Sequence, residues 1–153
     1  MKRSEQDIVN VLQHVRYEIE MLCHPQLISD SVYINNALLE SRLIHARSLI
    51  EFFSPKTHVH ETDVRPEHFG FQSSDVGVDE DTVVRIHRDI AHISYDRLDR
   101  TPETKKWFYG TFMPSIAKRS LGFVRHVLKT FSHQMAPGEV EGWRALEPRL
   151  TTL

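Results

Sequence analysis

Arg85–Tyr95 reads RIHRDIAHISY, and it completes a helical pattern that begins near Asp79. Val83, Ile86, Ile90 and Ile93 recur at steps of three, four and three residues, which makes one apolar stripe on a 3.6-residue period. Arg85, Arg88 and His92 recur at i, i+3 and i+7 and share a second face. Two guanidinium groups and one imidazole along one line suit a phosphate: arginine brings planar, permanently charged donors, and histidine titrates near neutral pH. The same spacing also describes a solvated basic face on an ordinary amphipathic helix.

The residues on either side extend the helical pattern. Over 5–23, Ile8, Val11, Leu12, Val15, Ile19 and Leu22 fall on one face, with Ser4 placed to cap the start, Asp7 three residues on, and Pro25 to end the run. A second helix runs from a cap at Asp30 or Ser31 to about Phe53 and is apolar on most sides, which places it in the middle of a bundle. Residues 54–78 have no helical period. Their prolines, glycines and Ser/Asp residues predict a long loop with a short helical turn around Pro66–Phe69. After the connection SYDRLDRTP, a last helix is expected from about 103 to 133, opened by Pro102 and kinked or broken at Pro114. The stretch 136–153 either packs through Trp143 and Leu146 or frays as a flexible tail. The expected architecture is all-α: a single domain over 1–153, folded as an up-and-down four-helix bundle with a long loop between the second and third principal helices.

Composition narrows the chemistry. The chain has 153 residues, 40% hydrophobic and 26% charged, with a net charge of −2, a balance that permits a local basic site but not a broad electrostatic grip on nucleic acid. The single cysteine, Cys23, fits a reducing cytoplasm and reads as a small buried side chain. The N-terminus MKRSEQDIVN has no apolar signal core and no run of 18 apolar residues occurs, so neither export nor membrane insertion is expected.

On the second helix, Asn36, Glu40, Arg47 and Glu51 fall near one line at steps of four, seven and four. They are either surface ion pairs of small value, Arg47 with Glu51 among them, or a polar line facing Arg85, Arg88 and His92 across the bundle, where Glu40 would orient His92 or neutralise an arginine. His58, His60 and His68, with His45, are the one histidine group that suggests a metal. However, no HExxH, CxxC or paired carboxylate–histidine motif accompanies them, and the expectation is no metal and no cofactor. Gly-rich phosphate loops and the GxSxG nucleophile motif are also missing from the sequence.

An all-helical chain of this length with an arginine shortly before a histidine on a late helix resembles the HEPN superfamily, whose motif is an arginine, four to six residues, then a histidine. Arg85 and His92 enclose six residues, IHRDIA, whereas Arg88 and His92 enclose three. The phrase LLESRLIHARSLIEFF on the second helix is similar to the polar-studded long helix of that superfamily. The resemblance covers about residues 30–98. It implies metal-independent RNA cleavage in a toxin–antitoxin or defence system, by attack of the ribose 2′-hydroxyl on the adjacent phosphate. His92 would be general acid or base, Arg85 or Arg88 would stabilise the phosphoryl oxygens, and Glu40 or Arg47 would hold these groups. It also implies a homodimer with two motifs lining one cleft. In some members an antitoxin partner modifies the tyrosine two residues after the histidine; here Ser94 holds that place and the tyrosine is Tyr95. Non-catalytic members imply the other reading, a helical module that binds a partner protein or a small anion through the same cleft.

Overall fold

The computed structural model describes residues 4–24, 29–56, 58–91, 95 and 98–153. Among them every regular element is a helix: α1 Glu5–Leu22, α2 Val32–Phe53, α3 Glu80–Ala91, α4 Pro102–Lys105, α5 Met113–Phe131, α6 Pro137–Arg144 and α7 Leu146–Thr151. None of these is long and apolar enough to cross a membrane. His92, Ile93 and Ser94 of the motif region lie outside the described residues, as does Pro25.

Local chemistry fixes the start of α1. The Ser4 hydroxyl accepts from the Asp7 N–H at 3.1 Å while the Asp7 carboxylate accepts from the Ser4 N–H at 3.0 Å, so two otherwise orphaned donors are satisfied. Val9, Leu12, Val15, Ile19 and Leu22 are buried, and Ile8 and Val11 pack at the edge of the core. Ser31 holds the N-cap position of α2 without a side-chain cap bond; Asn35 instead ties the entry by bonding the backbone of Ser29. α1 and α2 run antiparallel, with Glu18 against His45 near one end and Val11 beside Phe52 near the other. Cys23, at the end of α1, is buried, and that burial pushes its thiol up to about 11 against the opposing pull of Arg149 and Arg42. It is the small core residue its sequence position suggested.

The apolar character of α2 is used unevenly. Leu43, Ala46, Leu49, Ile50 and Phe53 lie in the core, but Val32, Tyr33, Ile34 and Leu38 are exposed, Tyr33 at 83%. The helix is central only in its C-terminal half. The sequence expectation of burial on most sides fails for the first two turns, which no element among the described residues covers.

α3 packs antiparallel on α2, as its stripe required. Ile86 is fully buried, and Val83 and Ile90 pack at the core edge.

The expected single helix over 103–133 is three pieces. Thr101 caps α4 through its hydroxyl, and Pro102 occupies the first turn. The chain then extends at Lys106, makes a 3₁₀ turn at Tyr109–Thr111, and restarts at Met113. Pro114 therefore opens α5 rather than kinking it, because a residue in the first turn has no intrahelical N–H bond to lose. α5 sends Ile116, Phe123, Val124 and Val127 into the core. α6 and α7 pack behind it. Trp143, Leu146 and Leu150 are buried, and Arg16 of α1 crosses Gly142 where a β-carbon would sit. Of the two readings of 136–153, the packed one holds.

The long connection between α2 and α3 is tied down. Pro66–Phe69 forms the short 3₁₀ turn, closed by Gly70 at φ 71°, a left-handed conformation that favours glycine. Phe69 is buried, its carbonyl meets His126 Nε2 at 2.7 Å, and Arg119 donates to the Gln72 carbonyl while lying over the Phe71 ring. Glu67 accepts from the Ser73 N–H at 2.7 Å and from Arg65 Nε at 3.1 Å. Desolvation works against its charge, but the Ser73 and Arg65 hydrogen bonds outweigh that and bring its carboxyl down to about 2. A carboxylate with a depressed folded pKa contributes stability above its ordinary range and loses it as pH falls through the folded value. Glu67→Gln should therefore lower stability at pH 6 in urea unfolding, and the gap from wild type should close between about pH 4.5 and about pH 2. A gap independent of pH over that window would show that the charge is not what holds the loop.

Candidate functional site

Arg85 is partly buried and held on several sides. Its Nε meets Asp89 at 3.3 Å, one turn on, and its Nη2 donates to the carbonyls of Lys105 at 3.0 Å and Lys106 at 3.1 Å. Its guanidinium lies 4.0 Å from the centroid of the Trp107 ring. Nη1 makes no hydrogen bond among the described residues and is not sealed from solvent. An arginine fixed this way loses little further freedom on meeting an anion, since the fork is already oriented.

Asp89 binds Arg85 on one side and Arg100 on the other. Burial alone would raise its carboxyl, but Arg100 and then Arg85 outweigh it and hold it below the usual carboxylate range. Arg88 is half-buried and also engaged. His92 lies outside the described residues, so its distance to either arginine is not part of this geometry. Tyr95 is 88% exposed.

The polar line on α2 is divided between two places. At one end Glu40 borders an open groove of about 340 Å³ between α2, α3 and the 100–107 segment, together with Asp89, Arg100, Lys105 and Trp107. Glu40 makes no hydrogen bond or ion pair among the described residues; Asp89, not Glu40, is the carboxylate that neutralises Arg85. At the other end Arg47 pairs with Glu51 at 2.9 Å, and His87 Nε2 lies 3.5 Å from the same Glu51 oxygen. Glu51 and His87 line a separate, wider groove of about 720 Å³ with Lys56, Asp75, Asp79 and Glu80. Arg47 is thus tied to the His87 groove, away from the contacts of Arg85.

His60 bonds Thr62, His68 accepts from the Arg65 N–H, and His45 pairs with Glu18 at 2.8 Å. Among the described residues no group of three His, Cys, Asp or Glu side chains could hold a metal ion.

Asp89, Arg100, Lys105 and Trp107 were not singled out from the sequence. Asp89 stands four residues after Arg85, an ion-pair spacing that was legible. The other three join the site only because the 98–107 connection turns back over α3. Trp107 falls within the span expected to be one helix from 103 to 133, where its spacing gives no sign of this contact.

A scan of protein-family models and searches of curated proteins and of solved structures return no match to this chain.

Proposed function

We propose that this chain is a metal-independent endoribonuclease of the HEPN type, built on an up-and-down four-helix arrangement of α1, α2, α3 and α5. It works in the cytoplasm as a homodimer, alongside a partner protein of a toxin–antitoxin or defence system. The observation that carries the reading is Arg85: clamped by Asp89, two backbone carbonyls and an indole, with one terminal nitrogen left for an outside anion. In the reaction the ribose 2′-oxygen bonds to phosphorus as the bond to the 5′-oxygen breaks. His92 takes the 2′-hydroxyl proton or delivers one to the leaving 5′-oxygen, and Arg85 binds a non-bridging oxygen. Arg85 and His92 are seven residues apart, about 10 Å along an ideal helix axis, and a second copy of the motif across a twofold axis relieves that separation.

The chemistry calls for no metal, so RNA cleavage should persist in EDTA and leave 2′,3′-cyclic phosphate and 5′-hydroxyl ends. Loss of cleavage in EDTA with rescue by a divalent ion would overturn the mechanism and direct attention to the histidine loop. One observation favours the other reading, a non-catalytic binding module: the Glu40 carboxylate, with no ion pair among the described residues, stands in the groove beside the Asp89–Arg100 pair, where it repels a phosphate. A chain that binds but never cleaves RNA would select that reading.

A further inference from the structure

We infer, building on the ribonuclease reading, that the groove bordered by Glu40, Lys105 and Trp107 seats one base of single-stranded RNA and selects bases with an exocyclic amino group over uracil. The groove holds about 340 Å³, at the small end of ligand sites and suited to a single nucleotide. Its charges divide into two sets. Asp89 and Arg100 are paired with each other, whereas Glu40 and the Lys105 ammonium make no hydrogen bond or ion pair among the described residues. An occupant therefore meets one open carboxylate and one open ammonium, with Leu39, Leu43 and Ile90 supplying apolar walls.

Trp107 is the one aromatic side chain that lines the groove. Its indole is half-buried, and its Nε1 makes no hydrogen bond among the described residues and is not sealed from solvent. Aromatic side chains of this kind stack nucleobases without regard to sequence, and a neighbouring cation steers the phosphate. Arg85 covers one face of the same indole, so a base would stack on the other face, with the guanidinium held across the ring from it.

The selectivity follows from Glu40. An ionised carboxylate only accepts hydrogen bonds. Cytosine N4, adenine N6 and guanine N2 carry amino donors, whereas uracil presents an oxygen at the position of the cytosine amino group. Glu40 would bond the amino group of the first three, whereas uracil sets O4 against the carboxylate and offers only its ring N3–H; Lys105 would contact any nucleotide through its phosphate.

The test is calorimetric titration of the full chain with cytidine 3′-monophosphate and uridine 3′-monophosphate, which differ at the atoms Glu40 would read. The cytidine nucleotide should bind roughly tenfold more tightly. Glu40→Gln should bring the ratio towards one, and it replaces an exposed side chain with one of equal size, so the fold is not at stake. Lys105→Ala should weaken both nucleotides and leave the ratio alone. Equal affinities in the wild type, a ratio insensitive to Glu40→Gln, or no binding of either nucleotide would each overturn the inference. Its failure is separable from that of the ribonuclease reading. A chain that cleaves RNA in EDTA with no Glu40-dependent preference removes the base site alone. A chain that prefers the cytidine nucleotide through Glu40 yet cleaves no RNA keeps the base site and removes the cleavage.

Discussion

Phe123→Ala should cost about 3–5 kcal/mol of stability, the range for deleting a buried aromatic ring from a core that cannot close over the hole. Phe123 is fully buried on α5, and its ring centroid lies 5.4 Å from that of Phe52, 5.7 Å from Phe53, 5.6 Å from Phe69, 5.4 Å from Phe71 and 6.2 Å from Trp143. These partners come from α2, from the connection after it and from α6, so one ring joins three separate parts of the chain. All five contacts are edge-on or steeply tilted, the arrangement that aligns ring edge with ring face. Domains of this size have a total stability of about 5–15 kcal/mol, so the substitution should remove a large share of it. Urea unfolding followed by circular dichroism measures the loss. Phe108→Ala is the control, since that ring is 63% exposed and its removal should change stability by no more than about 0.5 kcal/mol. A loss below about 1 kcal/mol for Phe123→Ala would mean that the core is organised differently.

Arg85→Ala should reduce RNA cleavage by about 100- to 1000-fold, the usual effect of removing one fixed donor to a developing oxyanion. It should also free the 105–107 segment, because the alanine leaves the Lys105 and Lys106 carbonyls without their donor and the Trp107 ring without its cation. Arg85→Lys should rescue neither effect: a single ammonium cannot reach Asp89 and both carbonyls while lying flat on an indole. Trp107 fluorescence reports the release, with Trp143 buried in the core as the unchanging second emitter. Wild-type cleavage in Arg85→Ala, with the segment released, would make Arg85 a strut and Arg88 the phosphate ligand.

Where a single element carries its own signal, the sequence was informative. The Ser4–Asp7 cap, the turn at Pro66–Phe69 and the stripe through Ile86 depend on residues within a few positions of one another, and each stands as its spacing required. The misreadings share another cause. Ile34 and Leu38 look like core residues by spacing, but among the described residues no distant part of the chain covers them. Apolar spacing also ran one helix from 103 to the expected break at Pro114, where the backbone instead extends at Lys106 and turns at Tyr109–Thr111 before the helix restarts at Met113. The candidate site follows the same division. The place of Arg85 on α3 was legible in its spacing, but its contacts with the Asp89–Arg100 pair and with Trp107 exist only through a chain reversal. That reversal joins residues separated by more than ten positions.

The account depends most on His92, and RNA cleavage in EDTA by His92→Ala beside the wild type tests it directly. The wild type should yield 2′,3′-cyclic phosphate ends. The variant should yield none while keeping wild-type helical content and melting temperature. Normal cleavage by folded His92→Ala protein would contradict the account.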